Sequence, residues 1–233
     1  MMMDWEQFWN TKPSAVGLSE FLKQVGYTVQ GRPITDDQFH HIVRQVRQRL
    51  GLESTDRVLD LCCGNGLVTH LLALHCQEIL GIDFSQSLLN VARRNHCPDN
   101  VLYRHLNVLN LDQLRRNHAN MFNKVNMVAG LQYIKRKDFQ SLLENLLQLT
   151  TEKRVILLAH VPDRSRKWIF YNTPKRVLAY YYRSLTHQET IGTWWDREEI
   201  SRIGERLGMQ CEFHDIHPSL HLSQYRFDVT LRC

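Results

Sequence analysis

The chain has no apolar run approaching the roughly 18 residues of a membrane-spanning helix. Its start, Met1 to Asn10, carries Asp4 and Glu6 and has no apolar h-region, so no secretory leader is expected. Six cysteines are present, Cys62, Cys63, Cys76, Cys97, Cys211 and Cys233, but none form a Cys-x-x-Cys pair or a Cys/His zinc spacing. Adjacent Cys62 and Cys63 suit a reduced compartment better than a disulfide framework, and a cytoplasmic protein is expected. Internal repeats and low-complexity tracts are also missing. His214, His217 and His221 fall close together, yet their spacing fits no zinc pattern and no acidic pair stands with them, so no metal is expected.

What is there is ordinary globular composition, 43% hydrophobic and 23% charged over 233 residues. A chain of this length buries roughly 70% of the surface it exposes when unfolded, enough for one α/β domain without staples. The net charge of +5, from 29 basic and 24 acidic residues, permits an anionic ligand without demanding nucleic acid.

The N-terminal part, 1–52, reads as a helical cap. Trp5, Phe8 and Trp9 share one helical face, and Gly26, Gly31 and Pro33 interrupt the pattern. Thr35 and Gln38 form a capping box ahead of Phe39, Ile42, Val43, Val46 and Leu50 at helical spacing, with Gly51 as C-cap. The centre, 53–162, alternates. Strands are expected over Arg57 to Cys62, Glu78 to Ile82 (ending in Asp83), Val101 to Leu106, Lys124 to Ala129 and Arg154 to Ala159. Helices are expected over Leu67 to Cys76, after Ser85 through Leu88, Leu89 and Val91, and over Asp138 to Leu149. Such alternation implies a mostly parallel, doubly wound α/β sheet.

The segment 163–196 is basic and aromatic and reads as a lid insertion. In 197–233, Asp196 and Glu199 form a second capping box before a helix through Ile200, Ile203 and Leu207, stopped by Gly208. Two strands follow, Cys211 to Ile216 and Tyr225 to Arg232. In the second, Tyr225, Phe227, Val229 and Leu231 alternate with polar neighbours. The segment between them has no room for a crossover helix, so they should pair antiparallel.

The chemistry concentrates in Val58-Leu59-Asp60-Leu61-Cys62-Cys63-Gly64-Asn65-Gly66-Leu67-Val68-Thr69, an apolar strand running into a glycine turn and then a helix. Glycines there allow a tight turn and close approach to a ligand. Asp60, at the carboxyl end of the strand, can accept hydrogen bonds from an ammonium group. Asp83, at the end of the next strand, can take both hydroxyls of a ribose. A turn that merely closes a strand–helix unit would not need both acids. A dinucleotide needs a third glycine and a pyrophosphate on the helix N-terminus. Here Thr69 replaces that glycine, and Asp60 would repel a pyrophosphate. S-adenosylmethionine has an amino acid end and no phosphate, so it is the expected cosubstrate, with S-adenosylhomocysteine as product.

On these residues the chain resembles the class I S-adenosylmethionine-dependent methyltransferases, well over about residues 55–162 and in outline over the last two strands. The resemblance implies a seven-stranded Rossmann-like sheet whose last strand is antiparallel. It implies a cosubstrate set of Asp60, Cys62, Gly64, Asn65, Gly66, Asp83, Phe84, Asn107, Val108, Ala129 and Gln132. Leu106-Asn107-Val108 resembles the turn that contacts the adenine, Ala129-Gly130-Leu131 resembles the turn that meets the methionine end, and Phe84 would pack on the ribose or adenine. A narrower resemblance rests on Trp168 to Arg176, on Ile191 to Trp195 and on Val25 to Thr28. It points to small-molecule methyltransferases of polysaccharide and natural-product pathways.

Residues just after the fourth and fifth strands border the crevice where ligands of open sheets sit. His160 is the expected general base for a hydroxyl acceptor, and Tyr133 would orient that acceptor. Trp9, Tyr27, Thr28, Tyr133, His160, Trp168, Tyr171 and Trp195 are the expected acceptor-binding residues; each type also serves commonly as packing. The expected partner is a small acceptor, anionic or sugar-like, with no membrane and no nucleic acid, bound by a monomer or homodimer. Nitrogen methylation and an RNA or protein substrate stand as alternatives, with a non-catalytic binding module behind them. Against RNA, no RNA-binding module is present, and the fourth strand ends in Ala129-Gly130-Leu131-Gln132 rather than in an Asn-Pro-Pro-Tyr type.

Overall fold

Short polar residues start the helices and short apolar runs make the strands. The structure is a computed structural model that describes residues 4–11, 17–186 and 188–233. Asp4 caps α1 (Trp5–Asn10) by accepting from the Gln7 amide at 3.0 Å. Helix α2 (Leu18–Gln24) follows. A two-residue ladder, β1 (Thr28–Val29) with β2 (Arg32–Pro33), then turns through Gln30 and Gly31, both left-handed. The capping box at Thr35 and Gln38 forms as expected and opens α3 (Asp36–Leu50), which ends at left-handed Gly51.

The main sheet has seven strands: β3 (Arg57–Leu61), β4 (Glu78–Asp83), β5 (Val101–His105), β6 (Phe122–Val128), β7 (Thr150–Pro162), β8 (Gln210–Asp215) and β9 (Arg226–Arg232). Their order is β5-β4-β3-β6-β7-β9-β8. Every pairing is parallel except those of β9, which runs antiparallel to both β7 and β8. Helices α4 (Thr69–Leu72) and α5 (Gln86–Asn95) join α2 and α3 on one face. Helices α6 (Asp112–His118), α7 (Arg136–Leu149) and α10 (Arg197–Arg206) cover the other. Two cores result. One holds Phe39, Ile42, Leu72 and Leu89, and the other holds Phe139, Leu143, Trp195 and Ile200.

Several elements depart from expectation for identifiable reasons. The helix expected over Leu67 to Cys76 is a single turn of α-helix continued by a 3₁₀ turn, Ala73–His75. The fifth strand of the sheet starts directly at the end of α7 and runs to Pro162, with a register shift between Leu158 and Val161. Asp196 and Glu199 make no capping box; Arg136 draws both carboxylates, and Arg164 also bonds Asp196. Strand β9 is buried on both faces, because β7 and β8 flank it and helices cover it, so its polar alternation does not mark a wet side. Between β7 and α10 lie α8 (Lys167–Phe170) and α9 (Pro174–Leu185); α9 buries none of its residues.

Candidate active site

The carboxyl ends of β3, β4, β6 and β7 open into one cavity of about 870 Å³. That is at the upper end of ordinary ligand pockets, roughly 300–1,000 Å³. Four residues without the freedom of glycine are left-handed at its wall: Gln30 between β1 and β2, Cys62 after β3, Ala129 after β6 and His160 at the shift in β7, with φ of 51°, 56°, 53° and 58°. Such backbone is costly and collects at sites where a chain must turn aside for a ligand. Gly64 has φ of 56°, and there glycine pays no such cost.

Two buried acids face the cavity. Asp60 accepts from the Thr69 hydroxyl at 2.6 Å and from the Asn126 side-chain amide at 2.7 Å. Asp83 accepts from the backbone amides of Gly64 and Ser85 at 2.9 and 2.8 Å. Burial pushes both carboxyls up to about 6, although these hydrogen bonds pull the other way. A pair of acceptor-only groups with lone pairs to spare fits a ligand that brings an ammonium and hydroxyls. It does not fit a pyrophosphate. This acceptor set matches S-adenosylmethionine.

The cover comes from the N-terminal part. The Trp5 and Trp9 rings lie 4.7 and 6.0 Å from that of Tyr133, and Ser85 Oγ donates to the Trp9 carbonyl at 3.2 Å. Tyr27 stands edge-on to His160 at 6.4 Å. Burial pushes Tyr133 up to about 12 and raises Tyr27 further, so both hydroxyls keep their protons. His160 is driven down to about 3, first by burial and then by the charges of Arg226 and Arg49. Its backbone amide donates to Asp228 at 2.6 Å, and Asp228 in turn pairs with Arg49.

Of the residues singled out from the sequence, the cavity brings together Trp9, Tyr27, Thr28, Asp60, Cys62, Gly64, Asp83, Phe84, Ala129, Gln132, Tyr133 and His160. Asn65 borders it, but its side chain is spent elsewhere: it donates to the Phe21 carbonyl and Gln24 and accepts from the Leu67 amide. Gly66 lies off the wall. A Cβ there would come within 2.9 Å of Tyr103 Cζ, so its glycine serves packing rather than ligand approach. Asn107 and Val108 also stand outside. Asn107 is exposed and closes its own turn by accepting from the Leu109 amide, and Val108 belongs to the core.

Three aromatics expected at the acceptor do not line the cavity. Trp195 is fully buried, donating from Nε1 to the Leu131 carbonyl and packing on Phe139. Tyr171 is buried against Phe170 and Trp194, its hydroxyl donating to Glu189 at 2.8 Å. Trp168 is 49% exposed and meets Tyr180 edge-on and Tyr181 at a tilt. Phe170, Arg176, Ile191 and Tyr225 take their place. Sequence reasoning also passed over Asn126 and Arg226. A polar residue inside an apolar strand was the available signal for the first; nothing local marked the second.

Residues 58–153 match a family model described as a methyltransferase domain. The demethylmenaquinone methyltransferase of Lactiplantibacillus plantarum is 27% identical over 204 residues, covering 80% of this chain and 81% of that protein. Among solved structures, a DhpI-SAM-HEP complex aligns with a TM-score of 0.65 at 15% identity, over 97% of this chain and 95% of that one. The magnesium protoporphyrin IX methyltransferase of Synechocystis PCC 6803, solved with bound SAH, aligns with a TM-score of 0.64 at 12% identity, over 98% and 97% of the two chains. At these identities the structural likeness is one of fold. Residues 58–153 are thus a methyltransferase domain, and the chain as a whole carries the Rossmann-like fold seen in S-adenosylmethionine-dependent methyltransferases.

Proposed function

We propose that this enzyme methylates a hydroxyl oxygen of a small molecule in a cytoplasmic biosynthetic pathway. The observation that carries the reading is one cavity with two acids on one side and neutral His160 and Tyr133 on the other. S-adenosylmethionine supplies a methyl group activated on a positively charged sulfur. Asp83 would take the ribose hydroxyls, and Asp60, steadied by Asn126 and Thr69, the ammonium. Cys62, Ala129 and Gln132 would border the methionine end and Phe84 the ribose.

On the acceptor side, His160 is neutral at pH 7 and can accept a hydrogen bond from a hydroxyl. Its low basicity suits orientation better than outright deprotonation. Tyr133 can donate. Residues 1–52 and 163–196 act as the cover in this reading, around a core of 53–162 and the closing 197–233. Two of the similar proteins carry names of small-molecule methyltransferases, which agrees with it. Among the described residues no helix is long and apolar enough to cross a membrane. The test is transfer of labelled methyl from S-adenosylmethionine to a panel of hydroxylated small molecules, matched amines, bulk RNA and protein. Label in the hydroxyl compounds is expected; label confined to amines, RNA or protein would overturn the reading.

A further inference from the structure

Arg226 opens β9 opposite Pro162. Because β9 alone runs antiparallel, its first residue sits at the same edge of the sheet as the carboxyl ends of the parallel strands. The side chain lines the cavity and is only 6% exposed. One of its terminal nitrogens donates to the His160 carbonyl. Its Nε is buried with no hydrogen-bond partner. Among the described residues no carboxylate pairs with it. Asp228, two residues along the strand, is engaged by Arg49 and by the His160 amide. The other groups its charge reaches are Tyr27, Tyr133 and His160, none of them an anion at neutral pH.

A guanidinium stays protonated in proteins, and burying one without a counter-charge is costly. A second cation reaches the cavity from its exposed rim. Arg176, at the start of α9, lies over the Phe170 ring at 4.7 Å, and its guanidinium donates to neutral Asn172. The acids Asp60 and Asp83 belong to β3 and β4, and these two cations belong to α9 and β9. The cavity is therefore acidic where a cationic cosubstrate would sit and basic where the acceptor would.

We infer that Arg226 anchors an oxyanion of the acceptor, so that the substrate is a small molecule carrying a carboxylate or a phosphoryl group. The inference rests on the reading of this cavity as a small-molecule methyltransferase site. The planar fork of arginine matches either group with two parallel hydrogen bonds. An oxyanion there would satisfy the orphaned Nε and supply the missing counter-charge. It would also relieve the charge that depresses His160, making that ring a better proton acceptor once the substrate is seated.

The test uses the full chain saturated with S-adenosylhomocysteine and compares benzoate and phenyl phosphate with neutral benzyl alcohol by calorimetry. At least one anion should bind ten-fold or more tighter than the alcohol. Arg226→Gln should erase that preference while still binding S-adenosylhomocysteine. Arg226→Lys keeps the charge without the fork and should retain part of the preference; it also serves if the Gln variant does not fold. Anions no tighter than the alcohol, or a preference unchanged in either variant, would overturn the inference. Failure of the wild-type chain to bind S-adenosylhomocysteine would overturn the underlying reading and the inference together.

Discussion

The two sides of the cavity are built by opposite means. On the β3–β4 side, function is local. Asp60 is held by Thr69, and Asp83 by Gly64 and Ser85, each partner within a single strand–turn–helix stretch or one strand away; Asn126, from β6, is the one distant contact among them. On the β7–β9 side it is assembled over distance. His160 meets Asp228, Arg226 reaches the His160 carbonyl, and Arg49 comes from α3 to pair with Asp228. The first side is a motif that any strand–turn–helix can carry. The second exists only when the whole sheet has closed.

The sharpest break in that comparison is Asp228→Ala. Removing one partner of a buried pair leaves the other charge stranded, which costs about 3–5 kcal/mol. Arg49 and Asp228 are 12% and 1% exposed, so solvent cannot substitute. Chemical denaturation should show a loss of that size; a loss under about 1 kcal/mol would mean that the β7–β9 side is no more interdependent than the other. Asp83→Ala is expected to act on binding instead. Losing hydrogen bonds to a charged acceptor should weaken S-adenosylhomocysteine roughly a hundred-fold by calorimetry, and unchanged affinity would remove Asp83 from the ribose role.

The same contrast separates what was legible in the sequence from what was not. The alternation of strands and helices, the capping box at Thr35 and the turn after β3 could be read because each is a pattern among neighbours. Arg226 could not. In Arg-Phe-Asp-Val-Thr-Leu-Arg the alternation looks like one wet face and one dry, and only the placement of β9 inside the sheet makes both dry. The aromatics of 163–196 were legible as a group but not one by one. Their spacing does not say that Trp195 points into the core while Trp168 points out.

Acidity sharpens the comparison at smaller scale. Asp60 and Asp83 both stand near 6 in the folded chain, above the ordinary 3.8. Between about pH 4 and 6 the folded protein thus holds protons that the unfolded chain has released. The ligand-free fold should lose stability as pH rises through that window. A ligand that needs these carboxylates ionised should gain affinity over the same range. For each acid it requires, S-adenosylhomocysteine should bind about ten-fold tighter at pH 7 than at pH 5. A flat profile would detach the acids from the ligand. His160→Ala should lower turnover several-fold, less than the usual factor for a well-matched general base. With the wild-type ring near 3, kcat at saturating cosubstrate should show no limb near pH 6.5; such a limb would show a histidine acting at its ordinary basicity.

The smallest expected effect is the most pointed. Trp168 was an obvious acceptor contact by composition, an aromatic among basic residues in the segment most expected to close the site. In the folded chain it is half exposed, packed against Tyr180 and Tyr181 with Lys167 beside its ring, and it does not line the cavity. A surface substitution of this kind usually moves stability by no more than about 0.5 kcal/mol. Trp168→Ala should therefore leave both kcat and KM for the acceptor within a factor of two. Phe170→Ala, two residues along, removes a cavity wall and the ring beneath Arg176, and should raise KM. If the order were reversed, with Trp168 controlling KM and Phe170 silent, then α8 must turn when the acceptor binds, and the distant side of the cavity would be completed by the substrate rather than by the fold.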